Sequence, residues 1–141
     1  MLKGVPAIIP PELLKVLSEM GHGDEIVISD AHFPACSVNS RVIHVGIVPS
    51  PEMLKAFIKL IELDQYVEKP VVMMAPVPGD EVDPDLLAEC RDVLQKDADR
   101  IDFIERFAFY DRAKTAYAVV VTGEQRKYGN ILIKKGVTMP E

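Results

Sequence analysis

Two polar constellations break an otherwise apolar pattern. The first is Gly21-His22-Gly23-Asp24, followed closely by Ser29-Asp30-Ala31-His32. An imidazole changes charge near neutrality and so can take a proton and return it. The glycines on either side leave the ring of His22 accessible, and Asp30 closes a short apolar run. A plainer reading makes His22 a helix-end residue drawn to the negative pole and Asp30 a turn former. The residues alone leave both readings open. The second constellation is Glu105-Arg106, then Gly123-Glu124 and Tyr128-Gly129-Asn130. Arg106 sits between an apolar run and Phe107 and is expected to be partly buried. A buried guanidinium requires an oxygen partner, either a carboxylate in a structural ion pair or a ligand atom. If extended, Tyr128 and Asn130 point to one face, where a phenol and an amide can hold a polyol or simply decorate a strand.

The other reactive types point away from chemistry. His22, His32 and His44 with Cys36 and Cys90 lack the close ligand pairing of zinc motifs, so no metal is expected. Cys36 follows a loop, whereas Cys90 falls on the apolar face of a helix and is expected in the core. His44 lies inside a strand pattern, and Met73-Met74 read as core filling. The chain has no nucleophile elbow, no phosphate-binding loop and no dinucleotide glycine pattern.

The elements that must position these residues are legible from punctuation and periodicity. Pro11 opens a helix with Leu13, Leu14, Leu17 and Met20 on one face, and Gly21 suits its left-handed stop. Ser50-Pro51 opens a second helix, with Ser50 as its cap and Leu54, Phe57, Ile58 and Ile61 inward. Asp83-Pro84 opens a third, with Leu86, Leu87, Cys90, Val93 and Leu94 inward, and Phe107 to Lys114 form a short fourth. Between them lie short apolar strands at Glu25 to Ser29, Val42 to Val45, Val71 to Met74, Ile101 to Ile104, Ala118 to Val121 and Asn130 to Ile133. Strands this uniformly apolar are covered on both faces, which gives an α/β fold of three layers, α/β/α. The last two strands, joined by Thr122 to Gly129, are expected to be antiparallel neighbours, making a mixed, mostly parallel sheet. Asp30 then sits at a strand's carboxyl end, where open α/β sheets bind ligands.

At 141 residues the chain is expected to form a single domain, 1–141, with one core. Its formal net charge of −6 gives no general attraction to phosphate backbones, so nucleic acid is not an expected partner. No apolar run reaches the ~20 residues needed to cross a bilayer, and no signal-peptide pattern opens the chain; a cytoplasmic location is expected.

These motifs resemble the RbsD/FucU family of sugar mutarotases and pyranases. The likeness rests on Gly21 to Ile26, Ser29 to Pro34, Arg106 to Tyr110, Thr122-Gly123-Glu124, Tyr128 to Leu132 and Lys135 to Thr138, in order and nearly end to end. Asp30-Ala31-His32-Phe33-Pro34 and Arg106-Phe107 resemble the L-fucose mutarotase type within it. The resemblance implies an RbsD-like fold, no cofactor, and interconversion of α and β sugar anomers by ring opening. D-ribose pyranase-type activity and a noncatalytic sugar-binding module are the alternatives. It further implies His22 as catalytic acid/base with Tyr128 as a second catalytic group, and Asp30, Arg106, Tyr128, Gly129 and Asn130 at the sugar. Self-association follows too, as a homodecamer in which the Tyr128–Asn130 segment completes a neighbour's site.

Overall fold

The computed structural model describes residues 1–141. Prolines set several helix starts as expected. Helix α1 (Pro11–Glu19) buries Leu13, Val16 and Leu17, and α4 (Pro84–Leu94) buries Leu86, Cys90 and Leu94. The Asp83 side chain caps α4 by accepting the amides of Asp85 and Leu86. Helix α3 (Ser50–Leu60) differs from its expected start. Pro49 occupies the cap position, and the Ser50 hydroxyl instead donates to the Gly129 carbonyl at 2.7 Å. A long-range tie to the loop before the last strand outcompetes the local cap. A short helix α2 (Ala35–Val38) carries Cys36. Helix α5 (Arg106–Thr115) completes the set.

Six strands form one sheet: β1 (Glu25–Ser29), β2 (Val42–His44), β3 (Val71–Met74), β4 (Ile101–Ile104), β5 (Ala118–Val121) and β6 (Ile131–Lys134). Their order is β2-β5-β1-β6-β3-β4. Five run parallel, and β6 alone is reversed, antiparallel to both β1 and β3. The sheet is therefore mixed and mostly parallel. The last two strands are nevertheless not neighbours. β1 lies between them, pairing Ile28 with Val120 of β5 on one side and with Ile131 of β6 on the other. The Thr122–Gly129 connection passes the end of β1 instead of making a hairpin.

Alternation along the strands divides the core between the two faces. Ile26, Ile28, Val71, Met73, Val120, Ile131 and Ile133 join α1, α3 and α4 in the larger cluster. Val27, Val72, Met74, Val119 and Leu132 join Phe33 and α5 in the smaller one. Both faces are covered, as α/β/α layering requires. Gly21 is not the left-handed stop of α1. That conformation falls on Gly23, with φ 86°, whose amide donates to Lys135 O at 2.8 Å beyond the end of β6.

Candidate active site

Asp30 follows β1 directly and is only 2% exposed. Its Oδ1 accepts the His32 amide at 3.0 Å, its Oδ2 accepts the Gly129 amide at 3.2 Å, and its own amide donates to Asn130 Oδ1 at 2.9 Å. Burial pushes its carboxyl above the usual range, against the pull of these amides. Because β6 is reversed, its entry residue Asn130 arrives at the carboxyl edge of the parallel strands, beside Asp30. The approach depends on Gly129: a Cβ there would meet Glu124 Cγ at 2.8 Å. Glu124 is itself buried and accepts from the Ser50 amide and from Arg126. Burial opposes its charge, but Arg126 outweighs that and holds the carboxyl below its ordinary range.

Tyr128 reaches the same cleft, though not by strand alternation. It lies in a turn with φ 65°, a left-handed conformation uncommon for a bulky residue. Such backbone costs about 1–3 kcal/mol and persists where surrounding contacts determine it. Here its hydroxyl donates to Asp80 Oδ2 at 2.9 Å and accepts the Val77 amide at 3.3 Å. Lys127, the residue before it, binds both oxygens of Asp80.

The opposite wall comes from α5. Glu105 caps it, accepting the amides of Phe107 and Ala108. Arg106 at its first turn is exposed, contrary to the burial expected from its apolar neighbours. Its Nε donates to the Tyr110 hydroxyl at 3.0 Å, and its guanidinium lies 5.4 Å from that ring's centre. No carboxylate of the chain pairs with it. His32 directs Nε2 at the Gln125 carbonyl, 3.0 Å away; since a carbonyl only accepts, Nε2 carries hydrogen. Asp30, His32, Phe33, Arg106, Tyr110, Tyr128 and Asn130 thus share one open cleft of about 190 Å³ with Met74, Val77 and Lys127.

His22 is not in this cleft. It lies before β1, at the opposite sheet edge from Asp30, with a strand of five residues and roughly 16 Å between. The resemblance set Tyr128–Asn130 apart as the segment that completes a neighbour's site. In the chain that segment shares a cleft with Asp30 and Arg106, and His22 is the residue standing apart. Nor does Asp30 hold its ring. His22 Nε2 lies 3.0 Å from Oδ1 of Asp64, in the connection between α3 and β3, and the Tyr66 ring lies tilted beside it at 5.3 Å. Reading the sequence missed Asp64, Asp80 and Tyr110. Asp64 and Asp80 fall in irregular connections with no periodicity; Tyr110 is placed by the helical spacing from Arg106, a signal that was available. Of the remaining candidates, Cys90 is buried, with burial pushing its thiol up to about 12, while Cys36 and His44 are exposed and line no part of the cleft.

Donors and acceptors converging with aromatic walls at the carboxyl edge of a mostly parallel sheet define an α/β protein with a site for a small, hydroxyl-rich molecule. The chain belongs to the RbsD / FucU transport protein family, whose profile matches residues 3–138. The L-fucose mutarotase of Actinobacillus pleuropneumoniae serotype 5b (strain L20) is 56% identical over 141 residues, covering 98% of both chains. A crystal structure of the fucose mutarotase from Streptococcus pneumoniae in complex with L-fucose superimposes with a TM-score of 0.93 at 42% identity, covering 98% of this chain and 100% of that one. RbsD of Bacillus subtilis, at 23% identity and a TM-score of 0.79 over 99% of this chain and 100% of its own, shares the fold.

Proposed function

We propose that this chain is an L-fucose mutarotase, an isomerase that interconverts the α and β anomers by acid–base opening and reclosure of the sugar ring. The observation that carries this reading is the end-to-end likeness to enzymes of that activity, through 98% of the chain. The chemistry of the cleft supports it. Each Asp30 oxygen accepts one amide and keeps a lone pair for a sugar hydroxyl. Asn130 spends Oδ1 on the Asp30 amide and leaves Nδ2 as a donor, and Arg106 has its terminal nitrogens free for hydroxyl oxygens. Gly129 does not line the cleft; both its polar groups are engaged within the chain, and its amide holds Asp30 in place. Tyr128 directs its proton at Asp80, so its oxygen meets the sugar as an acceptor.

The proton carrier is His22. It takes the anomeric hydroxyl proton and delivers one to the ring oxygen as the C1–O5 bond opens; rotation of the aldehyde and the reverse steps give the other anomer. Nothing is oxidised or transferred, so the chemistry calls for no cofactor. Since His22 lies far from its own chain's cleft, it serves the cleft of a second copy. We place the protein in a homo-oligomer, a decamer by family resemblance, and in the cytoplasm.

Saturation-transfer NMR of anomeric exchange, comparing L-fucose with D-ribose, tests this. L-fucose exchange is expected to accelerate, and His22→Ala to lose about 10²–10⁴-fold, the contribution of one positioned acid–base group. Its circular dichroism is expected to be unchanged. Sugar binding without faster exchange would instead establish a noncatalytic module, and preferential pyranose–furanose exchange of D-ribose a pyranase.

A further inference from the structure

His22 is held by a carboxylate with no part in the sugar cleft. Asp64 is 3% exposed, and its Oδ1 accepts both the Tyr66 amide at 3.0 Å and His22 Nε2 at 3.0 Å. Burial opposes its ionisation, but these two partners prevail and keep the carboxyl below its ordinary range. The imidazole is 47% exposed, so its far side is open.

The loop that carries Asp64 is fixed from three directions. Arg100 donates Nη2 to the carbonyls of Asp64 and Val67, at 2.8 Å each, and Nε to that of Glu68. The Asp64 amide donates to Lys134 O at 3.0 Å, and the Gly136 amide to Glu62 O at 2.8 Å. Gly136 packs so closely that a Cβ would lie 2.8 Å from Asp64 Cα. On the other side, the amide of Gly23 is bound to Lys135 O. Both halves of the His22–Asp64 pair are thus anchored to the same strand end.

An ionised carboxylate only accepts hydrogen bonds, so the hydrogen sits on Nε2 and the lone pair on Nδ1. We propose that Asp64 is a positioning residue for the reaction: it fixes the His22 tautomer and aims Nδ1, not Nε2, as the nitrogen that exchanges protons with the sugar. The proposal rests on His22 being the proton carrier.

Nitrogen-15 spectra of histidine-labelled protein read the tautomer without any substitution. The His22 ring is expected with hydrogen on Nε2 and a lone pair on Nδ1; the opposite tautomer would overturn the proposal. Asp64→Ala is expected to cut the exchange rate about tenfold or more while leaving KM near its parent value. Asp64→Leu, which refills the space, should behave alike and serves if the alanine variant fails to fold. In a His22→Ala background either change should cost nothing further, since Asp64 acts only through the ring. An additional loss there, or a parent-like rate in both single variants, would refute the positioning role. If His22→Ala alone keeps full activity, it is the proton-carrier reading that fails.

Discussion

Asp80 gathers four hydrogen bonds although it lies in an irregular connection: two from Lys127 Nζ, one from the Tyr128 hydroxyl and one from the Glu81 amide. Lys127 first, then Tyr128, lowers its carboxyl to about 2. A depressed carboxylate stabilises the fold above its unfolded value of 3.8, and that contribution disappears as pH falls through about 2. Asp80→Asn should therefore melt below the parent at pH 6 and close to it at pH 2, as thermal unfolding at the two pH values will show. The effect should be small, because the pair is solvent-screened. Parallel lowering of both proteins across that range would argue against the tie. Asp30, Arg106, Tyr128 and Asn130 stood out in the sequence because polar residues interrupt apolar runs. Asp64 and Asp80 did not, because a carboxylate in a polar connection looks like any solvated turn until its partner, 42 residues away for Asp64 and 47 to 48 for Asp80, is in place.

Helix α5 joins core and cleft in ten residues. Arg106 and Tyr110 face the site, while Phe109 and Ala113 are fully buried. Phe109 meets the Phe33 ring edge-on at 5.8 Å, and Phe33 in turn lines the cleft. Phe109→Ala is expected to cost about 3–5 kcal/mol, the transfer and cavity cost of a buried phenylalanine. Urea unfolding measures that loss, and a value under about 1 kcal/mol would mean that the site collapses to fill the void. Helix starts were legible at this scale because proline fixes φ and lacks an amide, a local constraint. Strand order was not. β1, β3, β5 and β6 are all short apolar runs, and nothing in such runs says which neighbour each will choose. The eight residues from Thr122 to Gly129 suit a hairpin by length alone, but β1 occupies the place between the strands they join. Gly21, directly after the helix, read as its stop, but the left-handed turn falls two residues later. The bond from the Gly23 amide to Lys135 O, supplied from the far end of the chain, accompanies the turn at Gly23.

Across the whole molecule the sheet separates the cleft, at the carboxyl ends of the parallel strands, from the His22–Asp64 pair at their amino ends. On the proposed reading, with each site completed between copies, the expected outcome is sharp. His22→Ala and Asn130→Ala should each be nearly inactive alone. Coexpressed, so that subunits mix at equal amounts, they should regain exchange activity at about a quarter of the sites, where an intact cleft meets an intact imidazole from the other variant. Saturation-transfer NMR on the mixed protein measures this, and no recovery despite confirmed mixing would confine each site to one chain.

The reversed strand β6 has a consequence for how the molecule tolerates change in length. It begins beside Asp30, through Asn130, and ends where Lys134 and Lys135 hold the Asp64 and Gly23 backbones, while Lys135 Nζ also binds the carbonyls of Leu17 in α1 and of Met20 just after it. Those four strand residues act as a spacer bar that sets the cleft and the His22–Asp64 pair at once. Lengthening or shortening the bar by one residue could not be absorbed at either end without dislodging the fittings there, so insertions belong in the outer connections and never in β6.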